Sequence, residues 1–466
     1  MILLAHSYFL RHDPKQLGRM QPYAPLATLI AAALLRQRGH DVVVFDAMLA
    51  EGTDAFAAAL DRHRPAIVGI LEDNFNFLTK MCTLRMRADS IAMVEMARQR
   101  GCRVAVNGSD ASDNAALYLH AGAHAVIRGE GEMAFSELVD EWSADPGAAL
   151  HGIRGLAVLD AHGAVTHTGG RPGLRDLDSL PQPAWDLVDV AAYRGAWRSA
   201  HGRFSWNMVT SRGCPFHCNW CAKPIFGQRY AQRSPALVAR EMRCLKDDIA
   251  PDHLWFADDI FGVTREWIGA FASEVTERDA RIPFMIQSRV DLMSPEVVDA
   301  LAAAGAQDVW MGVESGSQRI LDAMDKGTTI DAARTATRTL KSRGIRACWF
   351  IQLGYLSETW DDLLQTRDAL REERPDDIGV SVAYPLPNTK FRELVQAQMG
   401  AREHWDDTGD LAMLFKGTYS TAFYRQVRDV LHAENRTGMI DDGPWNTLAR
   451  DAAAHVADGR LSGIGT

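Results

Sequence analysis

Short apolar segments alternate with segments of helical periodicity along most of this chain, and this alternation constrains the fold more than any other feature. In the first 145 residues, five apolar runs are predicted to be strands: Ile2–Ala5, Val42–Phe45, Ala66–Leu71, Arg103–Val106 and Ala125–Ile127. Four helical patterns between them stop near Gly or Pro: Leu26–Arg38, Asp54–His63, Ala88–Arg100 and Asp113–His120. This order predicts a doubly wound parallel α/β sheet that binds a ligand at the carboxyl ends of its strands.

A second strand–helix series follows a looser stretch. Residues 146–204 contain Pro172, Pro181 and Pro183 and are predicted to be a linker that packs through Leu side chains and Trp185. Residues 205–395 then carry six apolar runs: Trp206–Thr210, His253–Ala257, Phe284–Gln287, Asp308–Gly312, Ala347–Leu353 and Gly379–Ala383. Six such units predict a partial (β/α)6 barrel, and residues 396–466 are predicted to be a mainly helical region.

Composition narrows the class of protein. The chain has 466 residues, 47% of them hydrophobic and 24% charged, which is typical of globular proteins with several domains. No apolar run approaches the roughly 18 residues that span a bilayer. The N-terminal segment MILLAHSYFL has no basic region or cleavage site, so we predict a buried strand rather than a signal peptide, and a cytoplasmic location. The net charge of −10 argues against a general nucleic-acid-binding surface.

Three of the seven cysteines are clustered, and they indicate an iron–sulfur site. The segment TSRGCPFHCNWCAKP places Cys214, Cys218 and Cys221 with Cys-x3-Cys-x2-Cys spacing directly after a predicted strand. Three thiolates can bind three irons of a [4Fe–4S] cluster and leave the fourth iron open to a small chelating molecule. The alternative is structural zinc, which needs four ligands and would have only His217 and the distant Cys244 to complete the set.

The other cysteines are isolated and are predicted to be buried core thiols: Cys82, Cys102, Cys244 and Cys348.

At the cysteine motif the chain resembles the radical S-adenosylmethionine (SAM) superfamily, which has the same spacing and usually an aromatic residue before the last cysteine, here Trp220. The segment WFADDIFG resembles the family segment that contacts the SAM amino group, which implicates Asp258 or Asp259, since a carboxylate suits an ammonium group. A solvated loop or a helix cap is the alternative for these two aspartates.

Later strands extend the resemblance. IQSRVD and MGVESGS resemble strands that supply polar SAM contacts, which implies that Arg289 pairs with the carboxylate and that Glu314 contacts the amino group or the ribose. Internal ion pairs are the alternative for both. FIQLGYLSET and SVAYPLPNT resemble the strands that bracket adenine, which implies contacts from Gln352 and from the backbone around Tyr384.

The resemblance implies a mechanism. The cluster, reduced by a donor such as flavodoxin or ferredoxin, passes one electron to SAM, which yields methionine and a 5′-deoxyadenosyl radical that abstracts hydrogen from a small-molecule substrate. The protein orients the reactants and excludes water and oxygen.

The first domain adds a second resemblance, to the cobalamin-binding subgroup of radical SAM enzymes, supported by VIRGEGE and by LDSLPQPAWDL. This subgroup contains C-methyltransferases that use methylcobalamin and the anaerobic magnesium-protoporphyrin monomethyl ester cyclase, which SVAYPLPNTKF resembles most. The cobalamin contacts that this resemblance implies lie at the predicted strand ends: Tyr8, Tyr23, Glu72, Asn74, Asn107, Gly108, Ser109, Arg128, Gly129 and Glu130.

One cobalamin motif is missing. The sequence Asp-x-His-x-x-Gly, which supplies an axial imidazole to cobalt in other cobalamin proteins, does not occur, and RHDPKQLG has the wrong spacing. We therefore expect cobalt to receive no histidine from the protein, with His6 and His12 as the donors if this expectation fails. A degenerate domain that binds nothing is the alternative.

Methyl transfer to an unactivated carbon is the reaction that these observations favour, and an oxidative cyclase or rearrangement enzyme is the alternative. A methylthiotransferase is disfavoured, because its first domain would need three further cluster cysteines and only Cys82 and Cys102 precede the core. A non-enzymatic iron–sulfur or zinc sensor would leave the barrel-like strand series unexplained.

Overall fold

The computed structural model describes residues 1–80, 83–410 and 412–461, so the prediction for Cys82 lies outside the described residues. The chain divides into two compact units. Unit 1 comprises Met1–Cys214, Lys223–Asp259 and His404–Asp410. Unit 2 comprises Pro215–Ala222, Ile260–Glu403 and Leu411–Thr466.

Unit 1 contains a seven-stranded sheet in the order β2-β1-β3-β4-β5-β6-β7. Its strands are β1 Ile2–Ala5, β2 Val42–Phe45, β3 Ile67–Leu71, β4 Arg103–Asn107, β5 Ala125–Ile127, β6 Leu156–Leu159 and β7 Val165–His167. The first five are parallel, as the sequence predicts, and β6 and β7 add antiparallel. Glycine at position 69 lets a helix approach β3 closely, because a Cβ there would lie 2.5 Å from the Phe135 ring.

Helices cover both faces of this sheet. They are α1 Pro14–Arg19, α2 Leu26–Gln37, α3 Thr53–His63, α4 Phe77–Lys80, α5 Leu84–Gln99, α6 Ser109–Asp113, α7 Ala115–His120 and α8 Glu132–Ala144. Alternate residues of the buried strands face opposite cores: Leu4 packs with α2 and α8, whereas Leu3 packs with α3 and α5. The doubly wound α/β arrangement is therefore confirmed.

Two of the helices in unit 1 differ from the predicted ones. The helix predicted to begin at Ala88 begins at Leu84, because the Thr83 side chain caps it by accepting from the Met86 N–H. The helix predicted over Asp113–His120 is instead two short helices that meet at Asn114.

The stretch predicted to be a linker, residues 146–204, contains regular secondary structure. It contains β6 and β7, which complete the first sheet, and a helix, α9 Val190–His201. Strand β7 has the sequence VTH and lies half-buried to exposed at the sheet edge, so it carries little of the apolar pattern by which buried strands are recognised.

The second strand series of unit 1 comprises β8 Ser205–Met208, β9 Ser211–Arg212, β10 Ala231–Gln232 and β11 His253–Phe256, with helix α10 Pro235–Cys244. Strands β8 and β11 are parallel, and β9 pairs antiparallel with β10. Unit 2 contains β12 Phe284–Ser288, β13 Ala306–Glu314, β14 Arg346–Leu353 and β15 Asp377–Val382, which pair in parallel in this order.

The helices of unit 2 are α11 Arg265–Glu277, α12 Pro295–Ala304, α13 Gln318–Ala323, α14 Ile330–Ser342, α15 Trp360–Glu373, α16 Lys390–Val395, α17 Thr421–Thr437 and α18 Asp442–Leu461. All six strands predicted for the second series form. Among the described residues, no helix has the length and apolar character needed to cross a membrane.

The isolated cysteines that the structure describes differ in burial. Cys102 and Cys348 are buried, as predicted, whereas Cys244 is only half-buried because it lies at the end of α10.

Candidate functional site

The first cysteine of the motif follows a tightly closed turn in unit 1. The antiparallel pair of β9 and β10 brings the backbone at Gly213 against the chain that precedes β10. Gly213 has φ +78°, and a Cβ there would lie 2.0 Å from the Arg229 carbonyl oxygen, so only glycine fits. This turn fixes the backbone that leads into Cys214. The thiols of Cys214, Cys218 and Cys221 are all half-buried.

In unit 2 a buried guanidinium lies beside the second cysteine. Arg289 Nη1 donates to Cys218 Sγ at 3.8 Å, and the guanidinium carbon lies 3.8 Å from the centroid of the Phe216 ring. Asp291 accepts from Nε and Nη2 at 3.0 and 3.1 Å, and the Lys326 carbonyl accepts from Nη2 at 3.0 Å. Arg289 is therefore held by the protein with its positive charge beside the Cys218 thiol.

Glu314 and Lys326 form a buried ion pair in the same unit. Lys326 Nζ lies 2.8 Å from Glu314 Oε1, and both side chains are 6% exposed. Burial acts to lower the pKa of Lys326, but the charges of Glu314 and Cys218 outweigh it and raise this pKa above its usual value. Glu314 has φ 68°, which is strained for a residue with a Cβ. Backbone strain together with a buried ion pair is typical of a ligand site.

Lys326 was missed by the sequence analysis. It stands alone in MDKGTT, between α13 and α14, where no spacing or periodicity distinguishes it from a surface lysine. Its Nζ lies 5.9 Å from the Trp220 ring, so it joins the cysteine loop to Glu314.

Three other predicted residues of unit 2 are buried or half-buried. Within the part of the chain that the structure describes, the side-chain oxygen of Gln352 and the indole N–H of Trp220 have no hydrogen-bond partner. Tyr384 is buried at the end of β15. An unused buried acceptor and an unused buried donor can satisfy a polar ligand.

The two predicted aspartates of unit 1 have protein partners. The Asp258 carboxylate is 2% exposed and accepts from the Thr210 N–H at 3.1 Å, from the Thr210 hydroxyl at 2.8 Å and from the Ser211 hydroxyl. Burial raises the pKa of Asp258 to about 6. Asp259 pairs with Lys80 at 2.5 Å. Asp258 therefore fixes the turn between β8 and β9, directly before the cysteine motif.

A second group of predicted residues meets at the carboxyl edge of the first sheet. Ser7, just after β1, donates through its N–H and its hydroxyl to the carboxylate of Glu72, just after β3, at 3.2 and 2.6 Å. Burial raises the pKa of Glu72. Gly108 packs against this carboxyl side chain, since a Cβ would lie 2.7 Å from Glu72 Cγ.

Asn107, the last residue of β4, ties neighbouring loops together. Its side-chain amide donates to the carbonyls of Ile127 at 3.0 Å and Gly129 at 2.8 Å, and its oxygen accepts from Asn74 at 2.9 Å. A Cβ on Gly131 would lie 2.6 Å from the Asn107 side-chain oxygen. The loop after β5 is therefore fixed against β4.

A small cavity lies beside these residues, at the carboxyl edge of the parallel sheet. Its lining includes Ser7, Glu72, Ser90, Gly108 and Ser109. Among the described residues, the buried hydroxyls of Ser90 and Ser109 have no hydrogen-bond partner. The cavity volume is about 10 Å³, which is room for about one water molecule, so the cavity can satisfy these hydroxyls but cannot itself contain a cofactor.

The remaining residues predicted for the first domain differ in their surroundings. Tyr8 donates to Asp13 at 3.2 Å. Tyr23 packs on Trp197 and Trp255, with ring centroids 5.2 and 4.6 Å away.

The loop after β5 contributes two further predicted residues. Arg128 is exposed, whereas Glu130 pairs with Arg212 at 2.7 Å. The sequence analysis missed Arg212, because an arginine beside a motif of cysteines has no pattern of its own.

Comparisons with known proteins match two separate stretches of the chain. The radical SAM superfamily matches residues 208–370, and the B12 binding domain matches residues 20–139. An uncharacterized methyltransferase of Pyrococcus horikoshii is 28% identical over 373 residues, which cover 79% of this chain and 78% of that protein. The anaerobic magnesium-protoporphyrin IX monomethyl ester cyclase of Rubrivivax gelatinosus is 29% identical over 279 residues, which cover 58% of this chain and 49% of the cyclase.

Two solved structures share the fold. The radical SAM methyltransferase TsrM from Kitasatospora setae, solved with cobalamin and a [4Fe–4S] cluster, aligns with TM-score 0.67 at 21% identity, over 86% of this chain and 78% of TsrM. The cobalamin-dependent SAM radical enzyme OxsB, solved with aqua-cobalamin and SAM, aligns with TM-score 0.72 at 16% identity, over 98% of this chain and 71% of OxsB.

Proposed function

We propose that the chain, which matches the radical SAM superfamily over residues 208–370 and the B12 binding domain over residues 20–139, is a cobalamin-dependent enzyme that methylates an unactivated carbon of a small molecule. The observation that carries the proposal is the presence, in one chain, of the three-cysteine loop and of a first domain that matches the B12 binding domain. The methyltransferase of Pyrococcus horikoshii and the hopanoid C-3 methylase of Methylococcus capsulatus are among the relatives, which also supports the proposal.

The proposal assigns residues 205–395 to the cluster and SAM. When bound, the cluster supplies one electron that cleaves SAM. Cys214, Cys218 and Cys221 hold it through three irons, and Arg289 balances the charge at Cys218. The amino-acid end of SAM carries an ammonium and a carboxylate, and the Glu314–Lys326 pair offers the complementary charges side by side.

The remaining SAM contacts are proposed on chemical grounds. Gln352, Trp220 and the backbone at Tyr384 suit the polar and aromatic parts of the adenosine, because the first two present unused hydrogen-bonding groups. For Asp259 we propose a SAM contact that requires exchange of its partner Lys80, whereas Asp258 supports the turn.

Residues 1–145 are assigned to cobalamin, which carries the methyl group when bound. Glu72, Asn74, Asn107, Gly108 and Ser109 lie at the strand ends and shape the edge that faces such a ligand. The remaining candidates are the loop residues and the two tyrosines: Arg128, Gly129, Glu130, Tyr8 and Tyr23.

An oxidative cyclase or rearrangement enzyme is the second candidate. It is supported by three cyclase relatives and by a 26% identical 4′-phospho-dehydrooxetanocin synthase of Priestia megaterium. A radical SAM enzyme with a vestigial first domain is the third possibility, and it predicts that cobalamin is not retained.

We also propose that flavodoxin or ferredoxin supplies the electron, that no nucleic acid is bound, and that the enzyme works in the cytoplasm. The net charge of −10 supports the proposal that no nucleic acid is bound. The free buried thiols of Cys102 and Cys348 support the cytoplasmic location, because reducing compartments keep thiols unpaired.

The products of SAM test the proposal. Reconstituted enzyme with reductant, cobalamin, SAM labelled in its methyl group and candidate substrates should form S-adenosylhomocysteine together with 5′-deoxyadenosine, and the label should appear in the substrate. Formation of 5′-deoxyadenosine with an unlabelled, cyclised or rearranged product would instead favour the second candidate.

A further inference from the structure

A buried arginine joins the loop after β5 to the strand that leads into the cysteine motif. Arg212 is 4% exposed and lies on β9, two residues before Cys214. Its Nη1 lies 2.7 Å from Glu130 Oε2, and its Nη2 lies 2.8 Å from Glu132 Oε1. All four of these residues belong to unit 1.

Aromatic rings hold the guanidinium in place. Its carbon lies 5.5 Å from the Phe75 ring centroid and 5.4 Å from that of Phe226, and these rings stack on each other at 5.1 Å. Phe75 follows β3, beside the cobalamin candidates, and Phe226 follows the cysteine motif. A planar guanidinium that is stacked and bonded by both ends of its fork has little freedom to move.

Both ends of this connection are themselves fixed. The carbonyl of Gly129 accepts from Asn107, and Glu130 Oε2 accepts from the Leu174 N–H at 3.2 Å. On the other side, the turn at Gly213 (φ +78°) joins Arg212 to Cys214, and a Cβ there would lie 2.0 Å from the Arg229 carbonyl oxygen. Arg212 is therefore the side chain through which a displacement of the loop after β5 would reach the backbone two residues before Cys214.

We propose that Arg212, with Glu130 and Glu132, is a positioning residue that couples cobalamin binding in the first domain to the cluster-binding loop. The inference rests on the proposed function only in requiring that the chain binds both cofactors. Coupling of this kind is a free energy between two sites, so each cofactor must change the affinity of the other by the same factor.

The test is a thermodynamic cycle on the full chain. The dissociation constant of hydroxocobalamin is measured by anaerobic titration with cluster-loaded and with iron-free protein, for the wild type and for Arg212→Lys. In the wild type we expect the dissociation constants of the cluster-loaded and iron-free forms to differ about tenfold. In Arg212→Lys we expect the ratio of these two constants to be near one, because lysine keeps the positive charge but lacks the two-pronged guanidinium that bonds both glutamates. Arg171→Lys is the matched control, since Arg171 pairs with Glu137 on the same helix as Glu132 but is more exposed.

The outcomes are distinct. A wild type that retains neither cobalamin nor iron contradicts the proposed function, whereas a wild type that binds both with a ratio of one overturns this inference alone. A ratio in Arg212→Lys equal to that of the wild type also overturns it. If Arg212→Lys does not fold, the neutral double variant Arg212→Gln with Glu132→Gln replaces it. A ratio near one in this variant supports the inference, and a ratio equal to that of the wild type overturns it.

Discussion

The guanidinium of Arg289 donates a hydrogen bond to the thiol of Cys218, with Nη1 and Sγ 3.8 Å apart. Asp291 and the Lys326 carbonyl occupy the rest of its fork, so this contact does not depend on a bound ligand. A positive charge and an N–H donor at a cluster thiolate stabilise the added electron when an iron–sulfur cluster is reduced. The contact therefore bears on the reduction potential as well as on ligand binding.

This relationship gives the first prediction. Arg289→Gln should make the midpoint potential of the [4Fe–4S] cluster more negative, because the variant loses the positive charge beside Cys218. A tenfold loss in the equilibrium constant for reduction corresponds to about 59 mV for one electron. Potentiometric titration followed by electron paramagnetic resonance measures the shift. The exposed Arg281→Gln is the control, and an unchanged potential with lost SAM affinity would assign Arg289 to the SAM carboxylate instead.

The second prediction concerns the identity of the metal centre. Anaerobically reconstituted protein should contain about four iron and four sulfide per chain, as a three-cysteine cubane requires. Replacing Cys214, Cys218 and Cys221 together with Ala should remove the iron, whereas Cys244→Ala, outside the motif, should retain it. Metal and sulfide analysis decides the matter, and stoichiometric zinc without sulfide would contradict the prediction.

A third prediction follows from a buried acid in unit 2. Glu358 is 0% exposed, and its Oε2 accepts from the Gly354 N–H at 2.7 Å. Burial raises the pKa of Glu358 to about 8, so the folded chain holds its proton at pH values where the unfolded chain has lost it. This carboxyl therefore stabilises the fold fully below its unfolded pKa of about 4.3, and that stability is lost as pH rises toward 8.

Glu358→Gln keeps the shape without the charge. It should flatten the fall in the free energy of unfolding between pH 5 and 8, by at most about 1.4 kcal/mol per pH unit. Denaturant unfolding at several pH values measures this slope. Glu266→Gln, at an exposed position, should leave the slope unchanged, and an equal slope in wild type and Glu358→Gln would show that Glu358 ionises normally.

The fourth prediction is that cobalt receives no histidine from the protein. His6 Nε2 lies 2.9 Å from Asp46, which also accepts from the Tyr193 hydroxyl at 2.8 Å, and His12 Nδ1 lies 2.7 Å from Asp89. Both histidines thus have structural partners. Protein incubated with hydroxocobalamin should retain about one equivalent through gel filtration, and the Co(II) form should show no superhyperfine splitting from a histidine nitrogen.

Isotope labelling separates the two sources of nitrogen. A ¹⁵N-labelled protein with unlabelled cobalamin would give a two-line splitting from a histidine ligand and a three-line splitting from the benzimidazole of the cofactor. A two-line pattern that disappears in His6→Ala or His12→Ala would contradict the prediction and identify the donor.

Local sequence determined much of this protein. The strands of the two βα series follow from apolar runs such as Ile2–Ala5, which the structure reproduces residue for residue. The three-cysteine motif could also be recognised, because its residues are neighbours in the chain and their spacing is itself the signal. Both features depend on interactions within a few residues, and such interactions leave a pattern in the sequence.

Only the tertiary structure decided which charged residues meet. Lys326 reaches Glu314 across 12 positions, and Arg212 reaches Glu132 across 80. Asp258 has a side chain that suits ligand binding, yet its carboxylate accepts from Thr210, 48 positions earlier in the chain, and so supports the turn before the cysteines. Such pairs form where separate strands end at one edge of a sheet. The sequence does not reveal them in advance, because the hydrophobic pattern that drives folding is the same whichever polar side chains are brought together.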